Sequence, residues 1–179
     1  MLAAELGLGD VVEALMSDRH CNVREVDNEG CNALHYAVRR GHQHVVDLLL
    51  PLCMPLPSPS LPYPPLPLPP SRPHFTSVRD SSTGAKETAV HLALEHGYWD
   101  MGRSLLAAGC NAEAVTVDGV SPIHLFAAGP DEPSNLVSFL AKGSDINIRN
   151  GDGLTPLSIA ERAGNERLAD LLRRHGAKR

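Results

Sequence analysis

An all-α solenoid of helix-turn-helix units, joined by short β-hairpin loops and interrupted by a disordered proline-rich insert, is the fold this sequence predicts. Three observations carry it. One motif recurs, as N-A-L-H-Y-A at 32–37, T-A-V-H-L-A at 88–93, S-P-I-H-L-F at 121–126 and T-P-L-S-I-A at 155–160. Counted on His35, His91, His124 and Ser158, the spacings are 56, 33 and 34, and 56 is one 33-residue period plus 23 extra residues. Self-similarity at such a period marks a stacked repeat array. Each motif then runs into a glycine and an apolar-periodic segment, the pattern of two helices packed back to back. Finally, 11 of the 15 prolines fall within residues 51–73, a run without the N–H donors for helix or ladder.

The units follow in order. Met1 lies 34 residues before His35, so the first unit is expected to lack its turn and the first half of its inner helix. Residues 2–6 finish that helix and residues 10–17 (D-V-V-E-A-L-M-S) form the outer one. A solenoid end normally carries a polar capping repeat; this half unit exposes an apolar side instead, so the chain reads as a fragment of a longer product or one begun at an internal methionine. Unit two starts at Asn32, whose side chain can cap the first free N–H groups of a helix. Gly41 separates its helices, and residues 42–50 (H-Q-H-V-V-D-L-L-L) form the outer one.

Residues 51–85 are expected to be disordered or polyproline II. A hairpin tip tolerates such an insert, because closure entropy rises by only about 0.6 kcal/mol per doubling of loop length. The junction between units two and three should nonetheless be the weak point of the stack. Three readings of the insert stand side by side. From Leu66 to Arg72, L-P-L-P-P-S-R matches the P-x-x-P-x-R ligand pattern of SH3 domains, with Pro67 and Pro70 as ridge prolines and Arg72 as the orienting charge. The run is otherwise a flexible spacer. In the third reading residues 51–80 are translated intron, since Pro, Leu and Ser can all be encoded by pyrimidines alone; transcript reads continuous across this stretch in every sample would sink that idea.

Unit three begins raggedly, with Lys86 where a turn glycine is expected, and becomes regular from Thr88 through the outer helix at 98–107 to Gly109. Unit four has Gly119 in its turn, Ser121 as cap and Pro122 at the first helical position, where a missing donor costs nothing. Phe126 stands where a small alanine is expected and must be absorbed by displacement. The following A-G-P-D-E-P-S-N at 128–135 is one residue longer than its equivalents, so a bent loop should precede an outer helix at 136–141 and a hairpin at 143–147. Unit five is complete: Thr155 and Pro156 start its inner helix, Gly164 ends it, and Leu168, Leu171 and Leu172 share one face of a second helix closed by Gly176. The heavy charge of that helix reads as a solvated C-terminal cap.

These motifs resemble the ankyrin-repeat family, over residues 1–50 and 86–177, and T-P-L-S-I-A is similar to the family's T-P-L-H-x-A. The resemblance implies an ankyrin solenoid divided into units one and two (1–50), the insert (51–85) and units three to five (86–179). It also implies that the recurrent histidine bonds between adjacent inner-helix starts, a structural role. Ser158 replaces it in the last unit, so that junction should be less tied.

Composition narrows the function. Net charge of −5, pI near 6.0 and no basic stripe argue against nucleic acid. Aromatics at 4% suit thin helical layers and leave little for a large ligand pocket. The most apolar run, residues 45–56, contains Asp47 and breaks at Pro51 and Pro55, so no membrane span is expected. No secretory leader is visible. Cys21, Cys31, Cys53 and Cys110 lack metal-ligand spacing and read as reduced thiols of an intracellular protein, cytoplasmic or nuclear. No catalytic, cofactor or metal site is expected: phosphate-loop, H-E-x-x-H and G-x-S-x-G patterns do not occur, and Asp131 and Glu132 read as a solvated pair on a loop.

What remains is surface. The resemblance places partner-contacting positions on a concave face. They are Val26, Asn28, Glu29, Cys31, Arg39 and Arg40 in unit two, and Glu87, Glu95 and His96 in unit three. Unit four adds Val117, Asp118 and Val120, and unit five Arg149, Asp152, Leu154 and Arg162. The expected function is non-catalytic binding of a protein partner. The alternative is the regulatory or targeting fragment of a larger enzyme or channel.

Overall fold

The computed structural model describes residues 1–17, 22, 25–53, 77–79, 86–130, 136 and 144–179. Among the described residues five inner helices stand in one row, backed by four outer ones. The inner helices are α1 (Leu2–Glu5), α3 (Ala33–Arg39), α5 (Ala89–Glu95), α7 (Pro122–Ala128) and α8 (Pro156–Ala163). The outer ones are α2 (Gly9–Ser17), α4 (Gln43–Cys53), α6 (Trp99–Ala107) and α9 (Glu166–Arg174). Each inner helix packs on the next, α1 on α3, α3 on α5, α5 on α7 and α7 on α8, and the pairs α1–α2, α3–α4, α5–α6 and α8–α9 form the units. In unit four's outer layer only Leu136 is described, as a buried helical residue.

The inner helices start alike because their caps are alike. Asn32 Oδ1 accepts the His35 N–H at 3.2 Å while His35 Nδ1 accepts the Asn32 N–H at 3.1 Å. Thr88 with His91 and Ser121 with His124 repeat the return bond, from N-cap N–H to Nδ1, at 3.2 and 3.1 Å. This is a capping box in which histidine does the work usually given to Glu or Gln. In unit five Ser158 cannot reach back in this way; its N–H bonds Thr155 Oγ1 at 3.3 Å and its hydroxyl lies 3.1 Å from the same oxygen. The inner helices of units two and five also end alike, whereas α7 ends at Gly129 in extended backbone. Gly41 and Gly164 turn the chain with φ of +75° and +78°, a conformation that costs other residues their Cβ clearance.

The core is continuous along the row. Leu34, Val90, Ile123 and Leu157, one place before the motif's fourth residue, are all buried, as are Leu49, Leu105 and Leu172 on the outer helices. Burying one such side chain contributes about 1.5–3 kcal/mol. Phe126 is fully buried without opening the stack, because Trp99 of the preceding unit meets it edge-on with centroids 5.6 Å apart. The indole in turn lies over Gly129, where an added Cβ would come within 2.3 Å of it.

At the edges of the insert the structure departs from expectation. Unit two was expected to end at residue 50 and disorder or polyproline II to begin at 51; α4 instead runs to Cys53 with Pro51 inside it. Leu49 and Leu50 are buried on the stack, and that burial holds the last turn although Pro51 has no N–H to give the carbonyl four residues back. Residues 77–79, also within the expected disorder, form strand β1 (Ser77–Arg79). It pairs antiparallel with β2 (Lys86–Thr88), Ser77 opposite Thr88 and Arg79 opposite Lys86. Lys86 therefore occupies a strand where the other units have a turn glycine. Across this junction α3 still packs on α5, and Gly41 sits so close to the Tyr98 ring that a Cβ there would lie 2.7 Å from it. The SH3-type pattern at 66–72, the intron reading of 51–80 apart from 51–53 and 77–79, and the loop and hairpin residues 131–135 and 141–143 lie outside the described residues. So does the expected outer helix at 136–141, apart from Leu136.

Candidate functional site

The expected binding face has two rows of residues, at the hairpin tips and at the C-terminal ends of the inner helices. Three tips are built identically from different residues. Asp27, Thr116 and Asn150 each donate their backbone N–H to the carbonyl four residues on, in Cys31, Val120 and Leu154, at 2.9, 2.9 and 3.0 Å. Their side-chain oxygens accept the N–H of the same partners, Asp27 Oδ1 at 2.9 Å, Thr116 Oγ1 at 3.2 Å and Asn150 Oδ1 at 2.9 Å. Short polar side chains that bond their own backbone close such turns without a longer loop. Asn28, Glu29, Val117, Asp118 and Asp152 are thereby held exposed at the tips, with Val26 exposed just before the first.

Neighbouring tips are tied to one another. His91 Nε2 is 3.1 Å from the Val120 carbonyl and His124 Nε2 is 3.1 Å from the Ile148 carbonyl, so each histidine caps its own helix through Nδ1 and reaches the next unit through Nε2. The Gly151 N–H donates to the Asp118 carbonyl at 2.7 Å, joining tip to tip directly. Burial pushes the His91 imidazole down to about 4 against the opposing effect of its Val120 bond, and lowers His124 for the same reason. Both rings are therefore neutral at pH 7. With Nδ1 accepting, the proton of each is on Nε2.

The second row holds Arg39, Arg40, Glu95, His96 and Arg162. Arg40 bonds Glu5 of unit one at 2.7 Å, and His96 packs edge-on against Tyr98. Glu95 and Arg162 are exposed, and Arg39 is half-buried. Glu87 is half-buried in β2. Val120 and Leu154 are half-buried as well, held by the turn bonds just given. Cys31, expected among the partner contacts, is buried at 1% exposure and belongs to the core. Its register is that of Val120 and Leu154, the positions that turn inward after each tip.

Other positioning residues escaped the sequence reading. Tyr36 donates its hydroxyl to Asp27 Oδ2 at 2.6 Å, bracing the first tip from α3. The hydrogen bond to Asp27 pushes the Tyr36 phenol up to about 12. Partial burial works to raise the Asp27 carboxyl, yet the bonds from Tyr36, Cys31 and Glu29 hold it below its usual value. Asn165 donates Nδ2 to the Ala127 and Gly129 carbonyls at 2.9 and 2.6 Å, closing the end of α7. The available signal was a side-chain amide directly after the helix-ending Gly164. At the far end, residues 178–179 cross the last unit. Thr155 Oγ1 donates to the Lys178 carbonyl at 2.8 Å, the Lys178 N–H to Asn147 Oδ1 at 2.6 Å, and Arg149 to the Arg179 carbonyl at 3.1 Å. Glu161 accepts from Arg179 at 3.0 Å and Arg173 at 2.7 Å, contacts that lower its pKa.

A row of inner helices with polar tips tied unit to unit defines a stacked repeat array. A family model described as "Ankyrin repeats (3 copies)" matches residues 1–116, and the chain belongs to the ankyrin-repeat family, whose repeats are a protein–protein interaction module. It is 27% identical over 169 residues to "Nuclear factor NF-kappa-B p105 subunit" of Gallus gallus, covering 94% of this chain and 15% of that protein. It is 35% identical over 102 residues to "B-cell lymphoma 3 protein homolog" of Mus musculus, covering 55% of this chain and 22% of that protein. With "Neurogenic locus notch homolog protein 1" of Homo sapiens the identity is 29% over 100 residues, 55% of this chain and 4% of that protein. The chain thus spans less than a quarter of each of these relatives. No helix among the described residues is long and apolar enough to cross a membrane.

Proposed function

We propose that the chain binds a protein partner, without catalysis, through the face formed by its hairpin tips and the C-terminal ends of its inner helices. The observation that carries this is the threefold construction of the tips at 27–31, 116–120 and 150–154, which holds Asn28, Glu29, Val117, Asp118 and Asp152 outward on fixed backbones. A backbone already fixed at the tips has less entropy to lose on binding, and a mixture of charge with a few apolar groups suits a protein surface. Val26, Arg39, Arg40, Glu87, Glu95, His96, Val120, Arg149, Leu154 and Arg162 complete the face. His91 and His124, the residues most suited to acid–base chemistry, are occupied at both ring nitrogens. The cytoplasm or nucleus is the expected location.

A photo-crosslinking side chain placed at Val117 or Asp152 in cells should capture one protein, and the same group at Glu166 on the outer helix should not. Capture from Glu166 alone would place the binding face on the other side of the stack. A second reading makes the chain a regulatory or targeting part of a longer enzyme or channel; the small share of each relative that it covers supports the longer protein and leaves its activity open. On its sequence pattern alone, the run from Leu66 to Arg72 adds an SH3 domain as a second partner, testable by titrating the isolated peptide.

A further inference from the structure

The three tips share a geometry and differ in their chemistry. The residue that closes the turn is Asp27 in unit two, Thr116 in unit four and Asn150 in unit five, and of the chain's asparagines only Asn150 is followed by glycine. A glycine there has no Cβ to hinder its backbone nitrogen from reaching the side-chain carbonyl carbon before it. Gly151 is exposed, so water and hydroxide reach the pair. The nitrogen is nevertheless held away from that reaction. Gly151 N–H donates to the Asp118 carbonyl at 2.7 Å, and Asn150 Oδ1 accepts from the Asp152 and Leu154 N–H groups at 3.1 and 2.9 Å. Units four and five meet here backbone to backbone. A Cβ on Gly119 would lie 3.0 Å from the Gly151 nitrogen, and one on Gly151 would lie 2.6 Å from the Asp118 oxygen.

We propose that Asn150–Gly151 is a self-modifying site, where a spontaneous deamidation proceeds at a rate set by the contact between the tips of units four and five. When the tip opens, hydroxide takes the Gly151 amide proton and the nitrogen attacks Cγ of Asn150. The Cγ–Nδ2 bond breaks, and ammonia leaves with a proton from water. The five-membered imide so formed takes up one water. Opening at Cγ gives aspartate; opening at the Asn150 backbone carbonyl gives isoaspartate, in which the main chain runs through the former side chain and is a methylene longer. While the tips are closed the amide proton is committed to the Asp118 carbonyl, and the step waits on local opening. The two products have opposite consequences. Aspartate suits the turn, because Asp27 Oδ1 already accepts the N–H groups two and four residues on, in Glu29 and Cys31, both at 2.9 Å. Isoaspartate moves the Gly151 N–H off the Asp118 carbonyl and lengthens the tip that carries Asp152.

The test follows the full chain beside a synthetic peptide of residues 147–155 (N-I-R-N-G-D-G-L-T) at mildly alkaline pH, with peptide mapping by mass spectrometry and chromatographic separation of the two acids. The peptide should convert at Asn150, and the folded chain at least tenfold more slowly, as a reaction gated by local opening requires. Two variants of unit four leave residues 150–151 untouched. Gly119→Ala sets a Cβ against the Gly151 nitrogen, and His124→Gln keeps a side chain that serves a capping box while giving up the bond to the Ile148 carbonyl. Each should speed conversion several-fold with the circular dichroism of the chain unchanged, and if one fails to fold the other decides. The Asn150→Asp chain should keep the urea midpoint of the parent. A folded chain that converts as fast as the peptide overturns the proposal, as does a slow rate that neither variant raises. A lowered midpoint for Asn150→Asp overturns the assignment of aspartate as the product the turn accepts.

Discussion

Units one and five of this stack are packed in opposite ways. At the C-terminal end Leu172 is buried, Thr155, Asn147 and Arg149 bond backbone groups of residues 178–179, and Glu161 joins Arg173 and Arg179 in an exposed ionic network. At the N-terminal end Leu15 and Val11, in equivalent register, stand half open beside a one-turn helix. In unit five residues 178–179 bring backbone carbonyls and an N–H to the inner-helix start and to the hairpin before it. Where only apolar surface is offered, nothing within the described residues fills the space.

The largest test of this contrast is Leu172→Ala against Leu15→Ala. Deleting the buried leucine should cost about 2–5 kcal/mol in urea unfolding, and the half-exposed one about 1 kcal/mol or less. Equal costs would mean that the two ends are packed alike.

Acid should act on the histidine-tied units and spare unit one. The folded-state value of His91, about 4, lies below its unfolded value near 6.5, so the folded chain binds fewer protons between them. Its contribution is complete above pH 6.5 and is lost as pH falls toward 4, an effect of about 3 kcal/mol at most for a shift of that size. His124 adds to it in the same direction. Hydrogen exchange across this range should accelerate in α5 and α7 before α2. The opposite order would break the account of the histidine ties.

Smaller effects sharpen the picture. Asn165→Ala leaves the Ala127 and Gly129 carbonyls without their side-chain donor and should cost about 1–3 kcal/mol. Thr155→Val removes both the cap to Ser158 and the bond to Lys178, at about 1 kcal/mol. Arg40→Ala, which breaks the exposed pair with Glu5, should be the least of these and should vanish in high salt. A salt-insensitive loss there would give unit one a closer tie to unit two than an exposed ion pair supplies.

Much of this was legible in the sequence. The period, the caps at Asn32, Thr88, Ser121 and Thr155, and the glycines between helices are local signals that repeat, and all appear in the fold. What escaped depends on contacts distant in sequence. Pro51 looked like a stop, but the burial of Leu49 and Leu50 carries α4 past it. Phe126 looked too large, and nothing near it in sequence announces that Trp99 receives it from the unit before. Cys31 was placed on the surface by register; its alignment with Val120 and Leu154 showed an inward turn that hydropathy alone could have flagged. The face itself was legible only as positions, since exposed residues at a tip carry no mark of what they touch.

Chain continuity and stack continuity are separate properties here. α4 ends at Cys53 and β1 begins at Ser77, yet α3 and α5 are packed on each other and Gly41 rests against Tyr98. An epitope inserted between Cys53 and Ser77 is therefore expected to leave the α3–α5 contact in place, read as an unchanged urea midpoint.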